Sequence, residues 1–144
     1  MADMLHAIAI EAAPAKVYRA LTTAPGLQGW WTGDAKAQAR VRSVAVFGFG
    51  GGATVFRMRI VKLAPGKRVE WRCLGDDKEW KGTRLRFKLK RRKGGGTELR
   101  FTHAGWRSTK GWFRLCNTTW GALMFYLKGY VETGKKRPLF SGKA

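Results

Sequence analysis

The sequence predicts an α+β fold: a curved antiparallel sheet of about six to seven strands wrapped around one long C-terminal helix, with two short helices after the first strand. Three observations predict it. Residues 82–90 read GTRLRFKLK, with Leu85, Phe87 and Leu89 on one parity and Arg84, Arg86, Lys88 and Lys90 on the other. That is the alternation of a strand with one buried and one wet face. Beyond the turn Lys93-Gly94-Gly95-Gly96, Leu99, Phe101 and His103 alternate with Glu98, Arg100 and Thr102, which completes a hairpin. From Ser108 the period changes, because Trp112, Cys116, Trp120, Leu123, Leu127 and Val131 recur every three to four residues. This spacing predicts an amphipathic helix of roughly seven turns. An antiparallel sheet with one apolar face needs a cover, and this helix is the only element long enough to provide it.

The remaining elements follow in order. Leu5 to Glu11 reads as a first strand, with His6, Ile8 and Ile10 on one parity. Pro14 suits the first position of a short helix ending at Thr22 or Thr23, and Pro25 opens a second short helical segment over 26–31. Ala35 to Val41 and Val44 to Phe49 read as strands, the latter running into the Gly50-Gly51-Gly52 turn. In Thr54 to Leu63, Phe56, Met58 and Ile60 oppose Arg57 and Arg59; in Val69 to Cys73, Val69, Trp71 and Cys73 oppose Glu70 and Arg72. Ser108 or Thr109 can cap the long helix, Gly134 can end it in the left-handed conformation, and Pro138 prevents its continuation. No linker or repeat interrupts the chain, so residues 1–144 are expected to form a single domain.

Composition narrows the function classes. The 144 residues are 44% hydrophobic and include 7 Trp, which argues against disorder. No stretch approaches the roughly 20 apolar residues of a membrane span, and MADMLHAIAIEAAP lacks the features of a secretory signal, so a cytoplasmic location is expected. Cys73 and Cys116 fall on apolar faces and read as buried thiols, and no spacing suggests a metal or a cofactor. The glycine runs lack the lysine and the strand-to-helix setting of a phosphate loop and read as turns. Against 9 Asp and Glu stand 29 Lys and Arg, a net charge of +20 that should attract polyanions by counterion release.

The inward parities collect Phe56, Met58, Trp71, Phe87, Phe101 and His103 from the sheet and Asn117, Trp120 and Met124 from the helix. These side chains either line a cavity or fill a core. His103 is the one weak catalytic candidate, because a neutral imidazole can act as a general base; the alternative is a core histidine satisfied by its neighbours. No carboxylate falls near it, and no pair of acids suggests acid–base chemistry. Asn117 can contact a ligand or satisfy a strand carbonyl. On the outward parity, Arg57, Arg59, Arg72, Arg84, Arg86, Lys88, Lys90 and Arg100 should lie together on the convex side, interrupted by Glu70 and Glu98. Such a face is either solvated or binds a polyanion, whether nucleic acid or anionic lipid.

IEAAPAKVYRALTTAPGLQGWWT (10–32), VEWRC (69–73), EWKGTRLRFKL (79–89), LRFTHAGW (99–106) and CNTTWGALMFYLKGYVETGKKRP (116–138) together resemble the SRPBCC or START-like superfamily. Within it the chain is similar to the group that includes the C-terminal domain of the activator of heat-shock protein 90 ATPase. The resemblance implies a helix-grip fold with a cavity between sheet and terminal helix. It further implies non-catalytic binding of a small apolar or amphipathic ligand there, by Trp31 together with the inward-facing set named above. A cochaperone-like or polyanion-binding interaction module is the alternative, with a chaperone as a possible partner, and a cyclase-like enzyme is the third.

Overall fold

The computed structural model describes residues 1–144. β1 (Ala2–Ile10) leads into α1 (Pro14–Thr22) and α2 (Ala24–Trp30). Then come β2 (Asp34–Lys36), β3 (Val44–Phe49), β4 (Thr54–Ala64), β5 (Arg68–Cys73), β6 (Arg84–Arg91), β7 (Thr97–Trp106) and α3 (Phe113–Thr133). The strands make one seven-stranded antiparallel sheet in the order β1-β7-β6-β5-β4-β3-β2. Register irregularities in β1 between Ala2 and Met4 and in β4 between Ile60 and Lys62 bend these strands and add to the curvature. The predicted helix-on-sheet architecture is the observed one.

The short helices are set by local chemistry. Pro14 starts α1, where a missing N–H costs nothing. Thr23 closes α1 and accepts the Gly26 N–H at 3.1 Å, capping α2. A Cβ at Gly29 would lie 2.4 Å from the Tyr130 ring, so glycine permits the close approach of α2 to α3. Between the helices and the sheet lies the core: Met58, Trp71, Leu85, Phe87, Leu99 and Phe101 from the strands meet Trp120, Leu123, Met124, Leu127 and Val131 from α3, all buried.

Polar contacts hold α3 in place. His6 Nε2 and Asn117 Oδ1 are 2.9 Å apart. The Trp120 indole N–H donates to His103 Nδ1 at 3.1 Å. Lys128 Nζ donates to the Ala9 carbonyl at 2.8 Å, and Glu132 accepts the Glu11 N–H at 2.7 Å. That backbone hydrogen bond, with Lys128 beside it, holds the Glu132 carboxyl below the usual range.

Three sequence expectations are corrected. The helix starts at Phe113 and has 21 residues, about six turns; neither Ser108 nor Thr109 caps it. Ser108 instead accepts the Lys110 N–H within a turn, and the Trp112 N–H at the helix start is taken by Glu79 at 3.0 Å. Gly111 allows this, because a Cβ there would be 2.2 Å from the Glu79 carboxylate. The segment read as a strand over 35–41 pairs only at Asp34–Lys36; after it the chain turns at Arg40–Ser43, with the Ser43 hydroxyl donating to the Arg40 carbonyl at 2.6 Å. Gly134 does end α3 in the left-handed conformation (φ 75°), but residues 137–140 then run back along α2. Arg137, Leu139 and Phe140 donate their N–H groups to the carbonyls of Gly29, Trp30 and Trp31. No helix is long and apolar enough to cross a membrane.

Trp71 and Trp120 are equally buried, but the Trp71 indole N–H finds no acceptor on the protein. Trp120→Phe removes a satisfied hydrogen bond and strands His103 Nδ1; Trp71→Phe removes an orphaned donor at similar loss of volume. Urea unfolding should show Trp120→Phe to be the more destabilising by about 1–2 kcal/mol. Equal losses would contradict the anchoring role of Trp120.

Candidate functional site

The concave face is filled along most of its length by rings in contact. Phe101 lies 4.3 Å from Trp120 between centroids, Phe87 4.9 Å from Phe101, and Trp31 4.3 Å from Phe47. Close packing of this kind leaves no room for a central cavity. Space remains at one end, where the first turns of α3 overhang β3 and β4. There a pocket of about 230 Å³ opens to solvent. Phe49, Thr54 and Phe56 form its sheet wall and Leu115, Cys116, Thr119 and Leu123 its helix wall. Trp31, Trp80 and Trp120 close its inner end, and Phe140 from the returning tail stands at its rim.

The rings make a box. Trp80 stacks on Phe56 at 4.5 Å and 12°, Phe49 meets Phe56 at 5.7 Å and Phe140 edge-on at 5.2 Å, and Trp31 lies 5.1 Å from Trp120. No charged side chain lines it. The Thr119 hydroxyl is already committed to the Leu115 carbonyl at 3.0 Å. Cys116 is half-buried; burial pushes its thiol up, against the opposing pull of a hydrogen bond with the Trp80 side chain. It is therefore protonated and a poor nucleophile at neutral pH. Cys73 is buried, its thiol pushed up to about 12. A wider hollow of about 380 Å³ on the far side of α3 is walled by Thr133, Lys135 and Arg137 as well as Phe125 and Tyr126, and lacks an apolar enclosure.

Of the residues expected to face a ligand, Trp31, Phe56 and Trp120 line this pocket. Met58, Trp71, Phe87, Phe101, His103 and Met124 are packed into the core beneath it, and Asn117 faces His6 on β1. His103 is fully buried between two partners. Because Trp120 donates to Nδ1, the ring proton sits on Nε2 and is donated to the Thr83 hydroxyl at 2.8 Å; that hydroxyl in turn donates to the Trp80 carbonyl at 2.6 Å. Burial holds the imidazole pKa down at about 3, so it stays neutral with both nitrogens occupied. Sequence reasoning did not single out Phe49, Trp80, Leu115, Thr119 or Phe140 as lining residues. Leu123 and Cys116 were visible in the helical stripe, whereas Trp80 and Phe140 come from segments without periodicity.

Residues 11–132 match the family described as activator of Hsp90 ATPase homolog 1-like protein. Among solved structures, the Aha1 dimer of Colwellia psychrerythraea is similar at 37% identity and a TM-score of 0.85, over 94% of this chain and 99% of that one. Proteins of Mesorhizobium loti (18% identity, TM-score 0.78, 89% and 95% covered) and Chromobacterium violaceum (22%, 0.76, 90% and 96%) share the fold. No curated protein matches the sequence.

Below the ordinary histidine value of 6.5 the unfolded chain takes up a proton that folded His103 refuses until about pH 3. The stability from its neutral form is therefore complete above pH 6.5 and is lost as the pH falls toward 3, by about 1.4 kcal/mol per pH unit between those limits. Nitrogen-resolved NMR should find His103 in the Nε2–H form from pH 7 down to the onset of acid unfolding. Titration of its ring near 6.5 would contradict the burial and the hydrogen bonds assigned to it.

Proposed function

This chain belongs to the family of activator of Hsp90 ATPase homolog 1-like proteins, and we propose that it binds a small apolar or amphipathic molecule, without catalysis, in the aromatic pocket at the start of α3. The observation that carries this reading is an open pocket of about 230 Å³ walled by aromatic faces and free of charge. An apolar cavity of ~150 Å³ suffices for benzene. A group of that size or somewhat larger fits between Phe56, Trp80 and Trp120, with a polar end left in water. The chemistry of the neighbours supports binding rather than turnover: His103 has no free nitrogen, Cys116 is held as a thiol, and no acid lines the pocket. Both cysteines are free, which suits a reducing compartment and a cytoplasmic location.

A second reading has one observation in its favour. Leu115 on the helix wall of the pocket is 59% exposed, and Trp112, three residues before it, is 56% exposed, so an apolar patch at the start of α3 adjoins the pocket and offers a partner a contact. A cochaperone-like contact or self-association would use it, and the Colwellia relative is described as a dimer.

A neutral apolar fluorophore such as 1-aminoanthracene avoids attraction by the net charge. It should bind the native protein and slow alkylation of Cys116 by iodoacetamide, and Thr119→Phe, which fills the pocket, should weaken it by about tenfold or more, 1.4 kcal/mol. Dye binding indifferent to Thr119→Phe, or alkylation indifferent to the dye, would sink the ligand reading. Sedimentation velocity tests the second: Leu115→Glu should convert a dimer to a monomer if the patch meets another copy, and a wild-type monomer would exclude that contact.

A further inference from the structure

The outer face of the sheet, opposite the pocket, carries cations in register. Arg59, Arg72 and Arg84 stand directly opposite one another across β4, β5 and β6. Along β6, Arg86 follows opposite Glu70, and Lys88 stands between Arg68 and Arg100. Lys62 extends the Arg86 row onto β4. Three acids neutralise part of the face: Asp76 pairs with Arg57 at 2.5 Å, Glu70 with Arg68 at 2.7 Å and Glu98 with Arg100 at 2.6 Å. Arg59, Arg72, Arg84, Lys88 and Lys90 are exposed and make no salt bridge.

Neighbouring strands are ~4.8 Å apart, so three guanidinium groups in one row repel, and like charges in that position cost stability. All three side chains are exposed, and Arg59 also donates to the Arg42 carbonyl at 3.2 Å. An anion is the partner that would turn this cost into attraction.

We infer that this convex face binds the phosphodiester backbone of duplex nucleic acid, independently of sequence. Three features select that occupant. No aromatic side chain points outward from the strands, so the face offers nothing on which unstacked bases could rest, which disfavours single strands. The exposed apolar side chains on this face stand singly at the ends of the rows, Val44 opposite Arg59, Leu5 opposite Thr102 and Val61 beside Lys62, and form no continuous stripe to enter a bilayer. Finally, the Arg84 and Lys88 rows are four residues apart along β6, about 14 Å, comparable with the ~12 Å major groove, so the two rows can reach phosphates on both sides of it. Arginine, which forks onto phosphate oxygens, supplies the whole first row.

A chain of charge +20 attracts DNA anywhere on its surface, so the test compares two variants of equal charge. One replaces Arg72, Arg84, Lys88 and Lys90 with Gln; the other replaces Lys135, Lys136, Arg137 and Lys143, also exposed. Circular dichroism melts check that both fold. Anisotropy of a labelled mixed-sequence duplex is read at increasing KCl, beside a single strand and phosphatidylserine vesicles. The log–log salt slope should flatten by about 0.9 for each phosphate that the face variant no longer neutralises, and by little in the tail variant. The Thr119→Phe variant should bind duplex as the native protein does. Equal weakening in both charge variants, tighter binding to vesicles or to single strand than to duplex, or no association at low salt would each overturn the inference.

Discussion

A helix laid over a concave apolar sheet can slide and rotate at little cost unless something directional holds it. Here that is the hydrogen bond from the Trp120 indole to His103, at the centre of the α3 stripe. It continues through the Thr83 hydroxyl to the Trp80 carbonyl, so one chain of donors and acceptors ties helix, sheet and the loop before β6 together. Removing one link would leave a buried partner unsatisfied, costly in a low-dielectric interior. The Asn117 and Lys128 contacts with β1 and the Glu79 contact at the helix start then set the overhang of α3.

That overhang explains where open space can exist. Aromatic rings pack the middle of the concave face, and Trp120 is both the last of them and the inner wall of the pocket. The group that locks the helix is therefore also the floor on which an apolar ligand would rest. The same chain of hydrogen bonds takes His103 out of chemistry, since a base needs a free lone pair within reach of its substrate. With both ring nitrogens hydrogen-bonded, His103 joins helix to sheet.

Much of the fold was legible in the sequence because its strands and long helix are periodic: β6, β7 and the α3 stripe each announce a face. The site was legible only in part. Parity says that Phe87 and Phe101 point inward, but whether inward rings leave a gap depends on volumes and crossing angles that parity does not contain. Trp80 sits in a loop and Phe140 in a tail whose path is set by backbone hydrogen bonds to α2, so no pattern could bring them to Phe56. The outer face was visible as a charge pattern. Its neutralisation by Asp76 was not, because that acid reaches Arg57 from a turn 19 residues away.

The two faces of the sheet thus carry separate chemistry, apolar within and cationic without, divided by a single layer of backbone. If an apolar group rests on Trp120 in the box at the start of α3, solution NMR with a neutral apolar probe will show it most directly, through intermolecular NOEs. Contacts are expected from the probe to the rings of Phe56, Trp80 and Trp120, with Arg72 and Arg84 unperturbed. Contacts at the outer face, or none to those rings, would contradict the assignment of the pocket.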